Sequence, residues 1–157
     1  MYINVDYAET KMPPVRAKAN VPVEIKCPFP SMSESRVRIY GSDYIRTIAG
    51  KAIRDENENI IGANGLASLY FRGNDFSHIK KLRELYIGSS DPTYSNNQFT
   101  TLNLPQNTDI PILEVLDIQN CGGLAGALNL SRATAIKRVE AQGTVLTQII
   151  LPDSTGI

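Results

Sequence analysis

Tryptophan is missing from this 157-residue chain, histidine occurs once, cysteine twice, and the net charge is zero. Each scarcity closes a class of function. One histidine (His78) and two cysteines far apart in sequence (Cys27 and Cys121) cannot assemble a standard four-ligand zinc site. Nor do two cysteines make the disulfide framework of a small secreted scaffold, so both thiols are expected free. His78 falls in Phe76-Ser-His-Ile79, a short connection between strand motifs, where a surface or packing role is the default. No serine lies in a G-x-S-x-G elbow. Gly122, Gly123 and Gly126 lack the lysine of a phosphate loop and read as a corner. No catalytic, cofactor-binding or metal-ligating residue is therefore expected, and the chain is expected not to be an enzyme. Sixteen basic and sixteen acidic residues are spread evenly, which leaves no field to grip nucleic acid or an anionic membrane. No apolar run approaches the roughly 18 residues of a membrane span. The N-terminal stretch has no basic region leading into an apolar core, so no secretory signal is expected within the chain.

One polar stretch invites a calcium reading. Asp55, Asn57 and Asn59 fall at alternate positions, but a calcium loop of the EF-hand type needs glycine sixth and glutamate twelfth. Those positions hold Ile60 and Leu66. A solvated turn is the better account, with the apolar flanks closing as a hairpin over residues 51–62.

What the chain does contain is short apolar alternation cut by turn residues. Tyr2–Tyr7, Val21–Ile25 and Arg36–Tyr40 each alternate as strands do, with prolines 13, 14, 28 and 30 confining the early ones to edges or ends. From Leu66 onward a frame repeats: apolar, two residues, apolar, one residue, apolar, two residues, small polar. Leu66-Leu69-Phe71-Asn74, Leu82-Leu85-Ile87-Ser90, Leu113-Leu116-Ile118-Cys121 and Ile136-Val139-Ala141-Thr144 all fit it. A second series lies between them, at Phe99-Leu102-Leu104, Ala125-Leu128-Leu130 and Leu146-Ile149-Leu151. Starts at 113, 125, 136 and 146 are 12, 11 and 10 residues apart, so a circuit from 113 to 136 takes 23. The longer interval from 82 to 113 is expected to carry an insertion at 89–98, a stretch made of turn-forming residues.

The frame resembles leucine-rich repeats of the kind with little helix, over residues 66–157. The phrases Leu85-Tyr-Ile-Gly-Ser-Ser-Asp-Pro-Thr-Tyr-Ser-Asn-Asn, Gln119-Asn-Cys-Gly-Gly-Leu, Ala141-Gln-Gly-Thr144 and Leu151-Pro-Asp-Ser154 resemble virion or tail-associated proteins of gut bacteriophages, including crAss-like phages. The first resemblance implies a mainly β fold, a leucine-rich-repeat-type β-solenoid of about 22–23 residues per coil. An extended β-rich N-terminal appendage (1–35) and a cap with a hairpin (36–65) are expected to precede the solenoid at 66–157. Because no polar capping unit follows the last strand motif, the solenoid is expected to continue beyond Ile157.

In such strands the residues between and just after the last two apolar positions point outward. Stacked, they predict a binding face of Tyr70, Arg72, Tyr86, Asp117, Gln119, Glu140 and Gln142, with Tyr70 and Tyr86 adjacent in one column. Asp91, Tyr94, Asn96 and Asn97 form a candidate contact loop. The function the second resemblance implies is a non-enzymatic structural or adhesion module of a phage particle. Its partners would be other virion or tail proteins, further copies of the chain in the particle, or a host surface receptor. The alternative is a bacterial cell-surface repeat domain that binds host protein or glycan.

Overall fold

The computed structural model describes residues 2–7, 10–11, 15–16, 37–40, 45–49, 53–54, 60–62, 68–70, 81–95, 99–104 and 112–153. These form a mainly β protein, in which the single helical element among the described residues is one 3₁₀ turn, Pro92–Tyr94. The chain divides into two compact units, Met1–Tyr44 and Ile45–Ile157.

In the first unit, strand β1 (Tyr2–Tyr7) is the hub. It pairs antiparallel with β2 (Thr10–Lys11), β3 (Val15–Arg16) and β4 (Val37–Tyr40). The two prolines at 13 and 14, which carry no backbone donor, separate β2 from β3. Strand formation over Tyr2–Tyr7 and within Arg36–Tyr40 follows the alternation read from sequence. The Val21–Ile25 segment lies outside the described residues.

The second unit is built on parallel pairing. Strands β5 (Thr47–Ala49), β9 (Glu84–Tyr86), β11 (Val115–Asp117) and β13 (Arg138–Glu140) form one four-stranded sheet in the order β13-β11-β9-β5. Their register sets Ile48, Leu85, Leu116 and Val139 side by side. Hydrogen bonds continue past the strands, from Glu114 N–H to the Arg83 carbonyl (2.8 Å) and from Lys137 N–H to the Glu114 carbonyl (2.9 Å). Parity then decides burial. Leu82, Leu85 and Ile87, like Leu113, Leu116 and Ile118, point inward and are buried, while Tyr86 and Asp117 between them point out. Between β5 and β9 in sequence come β6 (Ile53–Arg54) and β7 (Ile60–Gly62), the expected hairpin, and β8 (Ser68–Tyr70).

The interleaved series forms two further parallel pairs. β8 lies beside β10 (Thr101–Asn103), with Leu69 opposite Leu102. β12 (Ala125–Asn129) lies beside β14 (Val145–Ile150), with Leu128 opposite Ile149 after a bulge near Gly126. One buried cluster draws residues from both series, including Leu85, Leu116 and Ile118 with Phe99, Leu104, Leu128 and Leu130.

Two expectations are corrected here. The Leu66 frame belongs to the second series, because β8 pairs with β10 and not with β9. Both series share the same apolar frame, so the frame alone could not separate them. In the main sheet the neighbour of β9 on that side is β5, whose frame begins at Ile45. Second, Ser90 does not fill a corner. It is exposed, and Ser95 is the buried serine beside that strand, since the 3₁₀ turn displaces the chain between them.

The corners follow one rule. Cys121 N–H donates to Ile118 O, Leu124 N–H to Cys121 O, Ala133 N–H to Leu130 O and Ile136 N–H to Ala133 O. These tight three-residue steps enclose Cys121 and Ala133 completely, so only small side chains fit. Truncation should separate core from surface. Leu116→Ala, at a fully buried position, is expected to cost about 2–5 kcal/mol. Val145→Ala, at a position 56% exposed, should stay within about 1 kcal/mol in the same urea titration.

Candidate interaction face

The outward side of the four-stranded sheet carries the expected columns with altered membership. Register places Ala49, Tyr86, Asp117 and Glu140 in line. Gly88, Gln119 and Gln142 follow two residues later on their strands. Five predicted residues are thus brought to this face: Tyr86, Asp117, Gln119, Glu140 and Gln142. Tyr70 is not, because it sits opposite Asn103 on the other pair. The expected Tyr70–Tyr86 column therefore does not exist. Arg72, Asn96 and Asn97 lie outside the described residues, as does His78.

Polar side chains on the face answer one another. Asp117 Oδ1 accepts from Gln119 backbone N–H (3.0 Å), and the Gln119 side-chain amide donates to Glu140 Oε2 on the next strand. Glu140 also faces Arg138 at 3.5 Å. Thr47 Oγ1 donates to Glu84 Oε2 at 3.0 Å. Ahead of the strands runs a series that sequence reasoning missed. Arg83 Nη1 lies 2.9 Å from Glu114 Oε1, and Lys137 Nζ lies 3.1 Å from Glu114 Oε2. The signal was available, because these residues share the second position of the frame. The Lys137 hydrogen bond holds the Glu114 carboxyl below the usual carboxylate range. Partial desolvation opposes that shift, and the charges of Lys137, Arg83 and Arg46 add to it.

The loop after β9 is tied to the strand beside it. Asn120 adopts a left-handed conformation (φ 54°), and its side-chain amide donates to the carbonyls of Ser89 (2.9 Å) and Ser90 (3.4 Å). Ser95, buried, donates its hydroxyl to the Gln119 carbonyl at 2.6 Å. Asp91 was a candidate contact residue, but its carboxylate accepts from Thr93 N–H at 2.9 Å and caps the 3₁₀ turn that Tyr94 closes. Set against protein-family models, curated proteins and solved structures, the chain matches none.

Under the face, Cys121 is a core residue. Burial raises its thiol from the ordinary 9.0 to about 11; a hydrogen bond with Ser95 works against the rise and the Asp117 charge adds to it. Among the described residues no three His, Cys, Asp or Glu side chains gather into a metal-ligating group.

Two outcomes follow from this geometry. A Cβ at Gly88 would fall on the backbone of Gln119 and within 2.6 Å of the Ile118 carbonyl carbon, so Gly88→Ala must push two strands apart. It is expected to lose about 1–3 kcal/mol in denaturant titration. The folded state also holds the Cys121 proton more tightly than the unfolded chain does. That contribution is complete below pH 9 and is lost as pH rises toward about 11. Stability should fall there with a slope of up to about 1.4 kcal/mol per pH unit from this group. Cys121→Ala should flatten that part of the profile.

Proposed function

We propose that the second unit is a short β-solenoid of the leucine-rich-repeat kind, and that the protein is a non-enzymatic structural or adhesion module of a bacteriophage particle. The observation that carries this reading is the division of labour within the parallel sheet. Inward positions form a continuous apolar ladder, and the outward Tyr86, Asp117, Gln119 and Glu140 are partly exposed and lie off that ladder. A stack of this kind is a stiff spacer with a flat side, suited to packing against other virion proteins or touching a host surface. The resemblance of the Leu85–Asn97 and Gln119–Leu124 phrases to tail-associated proteins of gut phages supplies the particle. Contact through the face would centre on Tyr86, whose ring offers area and a polar tip, with Gln119, Glu140 and Gln142 around it.

Mass spectrometry of purified particles tests the assignment. The polypeptide should be present in fixed stoichiometry with neighbouring subunits. Recovery in a bacterial outer-membrane fraction instead would favour the cell-surface alternative and sink the particle reading. A Tyr86→Ala/Gln142→Ala variant should keep its melting temperature within a few degrees yet lose partner capture at least about tenfold. Undiminished capture would remove the sheet face from the proposal.

A further inference from the structure

Charge that cancels along the chain is separated across the main sheet. Ahead of the strands, Arg46, Arg83, Glu114 and Lys137 line up in that order, because each N–H bonds the carbonyl of the residue before it. Arg83 reaches Arg46 at 2.8 Å, Glu114 reaches Arg83 at 2.8 Å and Lys137 reaches Glu114 at 2.9 Å. Arg138 follows Lys137 and Glu84 follows Arg83, so the second and third frame positions hold four cations against two carboxylates. Among the described residues, the fifth to ninth positions hold Asp117 and Glu140 and no cation.

Two of these cations are neighbours. A strand spacing of about 4.8 Å puts Arg46 one step from Arg83, and like charges side by side across a sheet destabilise it. Glu114 lies on the other side of Arg83, 2.9 Å from its Nη1, and turns its second oxygen to Lys137. Glu84 accepts from Thr47. Arg46 is exposed and, among the described residues, meets no carboxylate at ion-pair distance. An oxyanion between the two guanidinium groups would serve Arg46 as Glu114 serves Arg83, through the forked hydrogen bonds arginine gives to carboxylate or sulfate.

The rest of this margin narrows the ligand. Backbone groups there are already used in the ladder, since the Arg46 carbonyl takes both Arg83 N–H and Glu84 N–H. Side chains alone remain to make contact. Thr47, Glu84 and Glu114 place hydrogen-bond acceptors beside the arginines. A ligand matched to both kinds of group carries anions and hydroxyl donors on one frame, as an acidic sugar does. A run of aspartate or glutamate side chains brings acceptors alone, which Glu84 and Glu114 repel. Single-stranded nucleic acid needs an aromatic platform, and Tyr86 lies three residues along the strand from Arg83, about 10 Å away.

We propose that Arg46 and Arg83 form a binding site for an acidic glycan, whose carboxylate or sulfate bridges the two guanidinium groups while its hydroxyls donate to Glu84 and Thr47. This goes beyond the particle assignment and does not depend on it, since it uses the entry side of β5 and β9 and not the row that contains Tyr86.

Trigalacturonate and a κ-carrageenan oligosaccharide are the carboxylate and sulfate probes, with maltotriose and triglutamate as neutral and peptide controls. Added to the full chain at low salt, at least one acidic sugar should bind saturably and shift the NMR signals of Arg46, Thr47, Arg83 and Glu84. The tighter of the two names the anionic group. Affinity should fall as salt is raised. Arg46→Gln should weaken binding about three- to tenfold, and circular dichroism reports that the variant is folded. Tyr86→Ala should leave the affinity as it was. No binding of either acidic sugar, equal binding of maltotriose, or an unaltered affinity in Arg46→Gln would overturn the proposal. So would triglutamate binding as tightly as the sugars, which would assign the two arginines to an acidic peptide.

Discussion

Everything in the second unit depends on the parity of one parallel ladder. Ile48, Leu85, Leu116 and Val139 stand in register, and each strand is only three residues long. A slip of one residue would turn Leu116 out to water and carry Asp117 into a cluster of leucine and isoleucine. Burying that carboxylate without a partner costs several kcal/mol, far more than any single surface contact could return. Strands this short cannot enforce their register by hydrogen bonds alone. The inward side chains enforce it, and the corners keep the count, since each three-residue step from Ile118 to Cys121 to Leu124 returns the chain to the core at a fixed phase.

The outward side is governed by weaker forces that act in concert. Arg83, Glu114 and Lys137 form a cross-strand sequence of charges in which each ion is at least a quarter exposed. Pairs of that kind contribute little individually. Their effect is selective: alternate signs favour one neighbour over another, as cross-strand pairs do in any sheet. Stability therefore comes chiefly from the interior, and the exposed charges of the rim add little to it.

Much of this was legible from residue order, and the failures have physical causes. The frames at Leu82, Leu113 and Ile136 predict the observed register to the residue, because parity and apolar spacing are local properties of the chain. Outward residues on those frames, from Tyr86 to Gln142, were identified for the same reason. Strand β5 was missed as the first member of the sheet because its sixth frame position is Gly50, which offers no apolar signal. Tyr70 was assigned to the wrong neighbour because the two series carry identical spacing, and only three-dimensional pairing tells them apart. Ser95 displaced Ser90 because a 3₁₀ turn interrupts the frame, and frame counting does not register the loop's own geometry.

The loop from Ser89 to Ser95 has a further consequence. Asn120 holds its first residues, Ser95 anchors its end to Gln119, and Asp91 fixes its turn from within. Its conformational entropy is surrendered when the chain folds and not when something touches it. Any molecule that meets this segment meets a preorganised surface, and less of its interaction energy is spent on ordering than for a loose loop of the same composition. A substitution at Asn120 would remove the two bonds to the Ser89 and Ser90 carbonyls and so loosen the loop at its start.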